Sequence, residues 1–271
     1  MSKIILITGS TDGIGKIAAT KLANDGHQII LHGRNAEKLS KVVNEIKAIS
    51  GNENITSYVA DFSKLGDVKS MSAKIKEDLK SIDILVNNAG IFKASNPITE
   101  SGLDIRMVVN YLAPFVLTND LLPLLQQSEN PRVINLSSAA QETVSPQFLQ
   151  KNSQLSDNPA YAQSKLAILL WSFHFAKQHP KLTTIALNPG SLLNTKMVME
   201  AYGKFWSSAD KGADIIMDLA LNPTYDDRSG QYFDNDKGQF NEAHPDAYDD
   251  QTIKALIKDT KGILDNMLEE I

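Results

Sequence analysis

From Ile4 to Val86 the chain alternates short runs of strand-forming residues with longer amphipathic runs, and few folds accept that rhythm. Ile4 to Thr8 reads as a fully buried strand, and His27 to Leu31, Ile55 to Ala60 and Ile82 to Val86 read as three more. Helical spacing fills the intervals. Ala18, Ala19, Leu22 and Ala23 share a face, with Gly26 closing the helix. Ala36 to Ile49 sets Leu39, Val42, Val43 and Ile46 among charged residues, and Val68 to Leu79 follows. Strands joined by helical crossovers run parallel, and the crossovers cover both faces of the sheet. The expectation is a doubly wound, three-layer α/β fold. No repeat, low-complexity stretch or linker interrupts it, so residues 1–271 are read as a single domain.

The loop after the first strand carries the first chemistry. Gly9-Ser10-Thr11-Asp12-Gly13-Ile14-Gly15 leaves a strand and opens a helix. A helix start offers unpaired N–H groups and positive dipole density, which suit a pyrophosphate. Gly9 allows the turn, Gly13 lets phosphates approach the backbone, and Gly15 lets helix and strand pack closely. The alternative is a plain tight strand-to-helix turn. At the end of the second strand, Leu31-His32-Gly33-Arg34-Asn35 lacks the acidic residue that would hold an adenosine 2′-hydroxyl. Arg34 could instead pair with a 2′-phosphate, which favours NADP(H) over NAD(H), or could be a solvated helix-start arginine. Asp12 pulls weakly towards NAD(H). Asp61, followed by Phe62, ends the third strand, where the carboxylate could accept from an adenine amino group. Asn87-Asn88-Ala89-Gly90 ends the fourth. Each of these is also common turn chemistry.

Composition removes several classes. The chain has no cysteine, so disulfides, thiolate metal sites and cysteine nucleophiles are excluded. A net charge of -5 argues against a nucleic-acid or anionic-membrane partner. The apolar run Ile4 to Ile7 is too short for a signal peptide or membrane span, and no other uninterrupted run approaches a spanning length. A cytoplasmic location is expected. The histidines at 27, 32, 174, 179 and 244 have no ligand spacing, and none is assigned to a metal.

Ile98 to Gln127 reads as one long helix or a broken one, which Pro114 and Pro123 should kink or interrupt. Asn110 lies within it among Val108, Val109, Tyr111 and Leu112, as a satisfied core polar group or as part of a site. Arg132 to Leu136 is a fifth strand ending in Ser137-Ser138. Gln141 to Asp157 is irregular and mildly apolar and could be a flap. Asn158-Pro159-Ala160-Tyr161 opens a further helix, in which Tyr161 and Lys165 lie four apart on one face. They are either an ordinary surface pair or a phenol beside a cation that stabilises its ionised form, hence a proton donor or acceptor. Thr183 to Leu187 is a sixth strand, ending in Asn188-Pro189-Gly190. Met197 to Trp206 is rich in large apolar groups and reads as a substrate lid, a core helix, or a face against another subunit. Ala209 to Leu221 and Asp246 to Leu268 are helical.

The order of these motifs is informative. Thr8-Gly9-x-x-x-Gly13-x-Gly15, Asp61, Asn87-Asn88-Ala89-Gly90, Asn110, Ser138, Tyr161-x-x-x-Lys165 and Pro189-Gly190 together resemble the short-chain dehydrogenase/reductase family, over nearly the whole chain. The resemblance implies a Rossmann-like fold with a seven-stranded parallel sheet, its last strand at Gly230 to Phe233. It implies a catalytic set of Asn110, Ser138, Tyr161 and Lys165. Tyr161 would be the general acid or base, Ser138 would bind the substrate oxygen, and Ser137 would be structural. Lys165 would lower the tyrosine pKa and hold the nicotinamide ribose, and Asn110 would anchor a water in a relay to Lys165. Cofactor contacts would come from Gly9, Ser10, Thr11, Gly13, Ile14, Gly15, Arg34, Asp61, Phe62, Asn88, Ala89, Gly90, Tyr161, Lys165, Pro189, Gly190, Leu192 and Thr195. The long connection from Ala139 to Ala160, with Ser229-Gly230-Gln231-Tyr232-Phe233, is similar to the retinol dehydrogenase and WW-domain oxidoreductase branch. The family usually places a threonine five residues past the proline; here that position is Asn194, with Thr195 one later. The implied activity is NAD(P)(H)-dependent hydride transfer to or from a carbonyl or secondary alcohol. The substrate is expected to be small and apolar, under lid segments 141–157 and 192–207. A homo-oligomer is possible, and the alternative is an NADP(H)-sensing binding protein without turnover.

Overall fold

The computed structural model describes residues 2–153 and 155–268; Gln154, inside the expected flap, lies outside the described residues. The first half is built from β1 (Ile4–Ile7), α1 (Gly13–Asn24), β2 (Gln28–Gly33), α2 (Ala36–Ser50), β3 (Ile55–Val59), α3 (Leu65–Asp78) and β4 (Ile84–Asn87). The second half adds α4 (Ile105–Met107), a π turn at Val108–Leu112, α5 (Ala113–Leu125), β5 (Arg132–Leu136), α6 (Asp157–Gln178), β6 (Thr183–Asn188), α7 (Lys196–Tyr202), α8 (Asp210–Leu221), β7 (Gln231–Asp234), β8 (Gln239–Asn241) and α9 (Asp250–Leu268). The strand order is β3-β2-β1-β4-β5-β6-β7-β8. Its direction reverses between β1 and β4, which opens a crevice at their carboxyl ends.

The layers follow from strand periodicity. Leu6, Ile30, Leu85, Val133 and Ala186 point to one face, under α3, α5, α6 and α9. Ile5, Ile7, Ile29, Leu31, Ile84, Val86, Ile134 and Ile185 point to the other, under α1, α2 and α8. Each such side chain contributes roughly 1.5–3 kcal/mol when fully buried. Seven strands are parallel as expected, and β8 is an addition that pairs antiparallel with β7. The turn Asn235-Asp236-Lys237-Gly238, with Gly238 at φ 68°, folds it back.

The expected helix over 98–127 differs in two ways. It begins later, because Ile98 pairs with Asp104 in an isolated bridge and Asp104 caps α4 by accepting from the Arg106 amide at 2.8 Å. Nor do the prolines end it: Pro114 lies in the first turn of α5, just after the π turn, and Pro123 near the end of α5. From Ile105 to Leu125 the helix is long and apolar enough to cross a membrane, and it is mostly buried within the fold.

One buried ion cluster ties this helix to the next. Arg106 is fully buried, and its Nε and Nη2 donate to the two carboxylate oxygens of buried Asp104 at 2.8 and 2.6 Å. Its Nη1 pairs with Asp157, the first residue of α6. The start of α6 is therefore held by a guanidinium at the start of α4. Arg106→Met leaves Asp104 buried without its counter-ion, and urea unfolding is expected to show a loss of about 3–5 kcal/mol.

Candidate active site

The glycine loop is shaped by neighbours from three strands. Gly9 has φ 64°, and a Cβ there would lie 2.7 Å from the Ala89 Cα, so only glycine fits against the end of β4. Thr8 Oγ1 accepts from the amides of Asn88 and Ala89, both at 3.0 Å. Asn88 Nδ2 donates to the carbonyls of Thr8 at 2.7 Å and Gly9 at 3.1 Å. The Gly9 amide donates to His32 Nδ1 and the Ser10 amide to the His32 carbonyl, each at 3.0 Å. Asp12 caps α1 by accepting from the Gly13 amide at 2.8 Å. The amides of Gly9, Ser10 and Gly13 are thus committed within the fold, while the first-turn amides of Ile14 and Gly15 have no partner within the helix.

The charges nearby fit a phosphorylated dinucleotide. Lys38 pairs with Asp12 at 2.8 Å and, with the Gly13 amide, holds its carboxyl below the ordinary value. The negative charge expected to oppose NADP(H) is thereby neutralised. Arg34 is exposed and makes no salt bridge among the described residues. Asp61 accepts from the Ser63 amide and hydroxyl at 3.0 and 2.8 Å. The Phe62 ring is buried and stacks on His32, with centroids 4.1 Å apart, so only its backbone is placed for a ligand.

The four residues expected to do chemistry come from three places in the fold. Asn110 lies in the π turn, Ser138 follows β5, and Tyr161 and Lys165 lie one turn apart on α6. Pro114 stands four residues after Asn110 and has no N–H to offer its carbonyl, so the regular helix gives way there. Asn110 Oδ1 accepts from the Ile91 amide at 2.8 Å, and its Nδ2 donates to the Ile91 carbonyl at 3.0 Å and to Ser164 Oγ at 2.9 Å. It is thus a paired core group, and it lies beside Gly90. A Cβ on Gly90 would lie 3.3 Å from Asn110 Oδ1 and 3.4 Å from Lys165 Nζ, which places all three together. Ser137 donates to the Lys165 carbonyl at 2.7 Å and is structural, as expected.

The electrostatics differ from expectation at one point. Burial pushes the Tyr161 hydroxyl up to about 12, with the Ser138 hydroxyl, in hydrogen-bonding reach, pulling it down. The Lys165 ammonium makes no hydrogen bond to the phenol among the described residues. The ammonium is 5.6 Å from the centre of the Tyr161 ring and donates to the Leu136 carbonyl at 2.8 Å. Burial brings Lys165 itself down to about 8, which weakens it as a source of positive charge.

The Pro189-Gly190 turn is fixed by side chains that spacing did not reveal. Asn188 Nδ2 donates to Asp234 at 2.9 Å and Asp236 at 3.0 Å, and the Asn235 amide group donates to the Pro189 carbonyl at 2.8 Å. Leu192 follows with φ 47°, a strained value for a branched residue. Thr195 caps α7, and its methyl carbon would lie 3.5 Å from a Cβ on Gly13, so the displaced threonine does reach the glycine loop. Residues 192–207 form a closed loop: the Trp206 amide donates to the Leu192 carbonyl and the Asn194 amide to the Ser207 carbonyl, both at 2.8 Å. α7 between them buries no residue. Phe92 bridges to the site, its ring centre 4.8 Å from Tyr161 and 5.6 Å from Tyr202. Met199, Tyr202, Phe205 and Trp206 are exposed, Trp206 to 71%.

The other flank is fastened. Gln141 Nε2 donates to the Ser138 carbonyl at 2.9 Å, and its Oε1 accepts from the His244 amide at 2.9 Å. Gln163 on α6 accepts from the Ser145 amide at 2.9 Å and donates to Glu142 at 3.1 Å, while Phe148 is fully buried. Glutamines in an irregular stretch give no spacing signal, so sequence reading passed over them.

A family model described as short chain dehydrogenase matches residues 3–204. The chain belongs to the short-chain dehydrogenase family. Human retinol dehydrogenase 13 is 34% identical over 94% of this chain and 82% of its own length. Human polyprenol dehydrogenase is 30% identical over 87% of this chain and 77% of its own. In structure the chain is similar to a short-chain dehydrogenase from Escherichia coli CFT073 complexed with NADPH. The TM-score is 0.71 and the identity 27%, covering 86% of this chain and 96% of that one.

Buried Lys165 has a signature in stability. Its folded-state pKa of about 8 lies below the ordinary 10.5, so between those values the unfolded chain holds a proton that the folded chain has released. Stability conferred by that difference rises with pH through the window. Urea midpoints of wild type are expected to rise relative to Lys165→Met from pH 8 to pH 10, whereas a constant difference would place Lys165 in a solvated position.

Proposed function

We propose that this protein is an NADP(H)-dependent oxidoreductase that acts on an apolar carbonyl or secondary alcohol, with Tyr161 as general acid or base. The observation that carries this reading is the convergence of Tyr161, Ser138, Lys165 and Asn110 at the carboxyl edge of the sheet, beside a glycine loop with two uncommitted helix-start amides.

The loop, Arg34 and Thr195 suit the pyrophosphate and 2′-phosphate of the dinucleotide, and Lys165 would hold its nicotinamide ribose. When bound, the nicotinamide supplies or accepts the hydride. The chain's own groups do the rest. Ser138 holds the substrate oxygen and, through its hydroxyl, orients the Tyr161 phenol. Burial keeps that phenol protonated at neutral pH, as proton donation to a carbonyl oxygen requires. Asn110, clamped on Ile91, would anchor a water beside Lys165 through which the proton is replaced.

Residues 141–153 form a fixed wall and residues 192–207 a lid. Phe92, Tyr202 and the exposed apolar groups of the lid favour an apolar substrate body. The names of two relatives, a retinol and a polyprenol dehydrogenase, point the same way.

Two measurements test the reading. NADPH oxidation against a panel of aldehydes, ketones and quinones is expected to fall by about 10²–10⁴ in kcat for Tyr161→Phe, the range for losing a general acid. Tight NADPH binding with no member reduced above that variant would instead favour a nucleotide sensor. Arg34→Ala is expected to weaken NADPH by about tenfold or more while leaving NADH unchanged, as the loss of a charge-assisted phosphate contact requires. Equal affinity of wild type for the two nucleotides rejects the NADP(H) assignment.

A further inference from the structure

One buried titratable side chain has no part in the chemistry above. His32 sits in the last turns of β2, 3% exposed, and touches the ends of both neighbouring strands. Its Nδ1 accepts the Gly9 N–H at 3.0 Å, so that nitrogen carries no proton. Its Nε2 lies 3.1 Å from the Ala60 carbonyl and therefore carries one. Its backbone completes the lock: the His32 amide donates to Ser10 Oγ at 3.0 Å, and the His32 carbonyl accepts from the Ser10 amide. The ring lies flat on Phe62, the residue after Asp61.

The arrangement needs an acceptor at one specific place. Gly9 leaves β1 at φ 64° and directs its amide into the fold, where an unpartnered N–H costs about 1–3 kcal/mol. The neutral imidazole satisfies that amide on one side and Ala60 on the other, a bridge between the ends of β1 and β3. Burial holds the ring neutral, with its pKa down to about 4, against the opposing pull of the Ala60 carbonyl and Asp61.

We propose that His32 is a positioning residue for the dinucleotide, holding the Gly9 turn so that the Ile14 and Gly15 amides meet the pyrophosphate. The inference rests on the dinucleotide reading given above. What it adds is that the acceptor at Nδ1, and not the bulk of the ring, sets cofactor affinity.

Three variants separate those roles. His32→Asn keeps an acceptor near the Nδ1 position. His32→Gln reaches only towards Ala60, and His32→Leu keeps bulk alone. NADPH dissociation constants from fluorescence titration, with melting temperature and amide exchange of residues 8–15 measured without nucleotide, give the readouts. His32→Asn is expected to stay within about threefold of wild type, and His32→Gln and His32→Leu to weaken by about tenfold, the scale of one lost buried hydrogen bond. Exchange over residues 8–15 should quicken in the last two only. The proposal is overturned if His32→Gln binds like wild type, or if His32→Asn loses as much as His32→Gln. The comparison of those two stands even if His32→Leu fails to fold. A wild type that does not bind NADPH overturns both this proposal and the reading beneath it. Tight wild-type binding that is indifferent to all three variants overturns this proposal alone.

Discussion

The reversal of strand order between β1 and β4 is the constraint on which the rest of the molecule depends. Crossovers leave β1 for one side and β4 for the other, so the loops beyond these two strands diverge and a crevice opens between them. Asn110, Ser138, Tyr161 and Lys165 gather at that edge from a π turn, a strand end and a helix packed beside it. The loops are held across the gap by short polar links. Thr8 and Asn88 exchange hydrogen bonds between the strand ends, and His32 extends the linkage to β3. The apolar layers supply the stability, and these links supply the register of the site.

Within the crevice, burial dominates over charge pairing. Tyr161 is pushed up and Lys165 down by the same removal of water, so both lean to their neutral forms. That suits proton donation by the tyrosine. The charges that do stay paired lie outside this centre: Asp12 with Lys38 beside the glycine loop, and Arg106 with Asp104 and Asp157 beneath the start of α6. The ion cluster at the helix start and the apolar body of α6 together leave Tyr161 little freedom to shift.

How much of this was legible depends on whether a feature is local in sequence. The central parallel strands were legible because burial on both faces suppresses polar alternation, and the first-turn proline of α6 announced its start. Asn110, Ser138, Tyr161 and Lys165 were legible through their order along the chain. Strand β8 was not, since three residues make no period. The π turn left a signal that was read only as a kink: Pro114 withdraws a donor from Asn110, and the outcome depends on packing that a spacing rule does not contain. The tyrosine pKa was misread because the effect of Lys165 depends on where its ammonium turns, and it turns to Leu136. His32, Gln141 and Gln163 were invisible for a related reason. Each is useful only through partners on other elements, chosen by the register of the folded sheet.

The loop from Leu192 to Ser207 is closed on itself at its base, and its helix buries nothing. Leu193, buried against Gly190 and Gly212, is its main anchor, so opening this loop costs less than opening the sheet. The exposed side chains of α7 can be exchanged without taxing the core, except Tyr202, which reaches the Tyr161 ring through Phe92. A fold divided in this way can vary the exposed aromatic surface around Trp206 while keeping the crevice behind it unchanged.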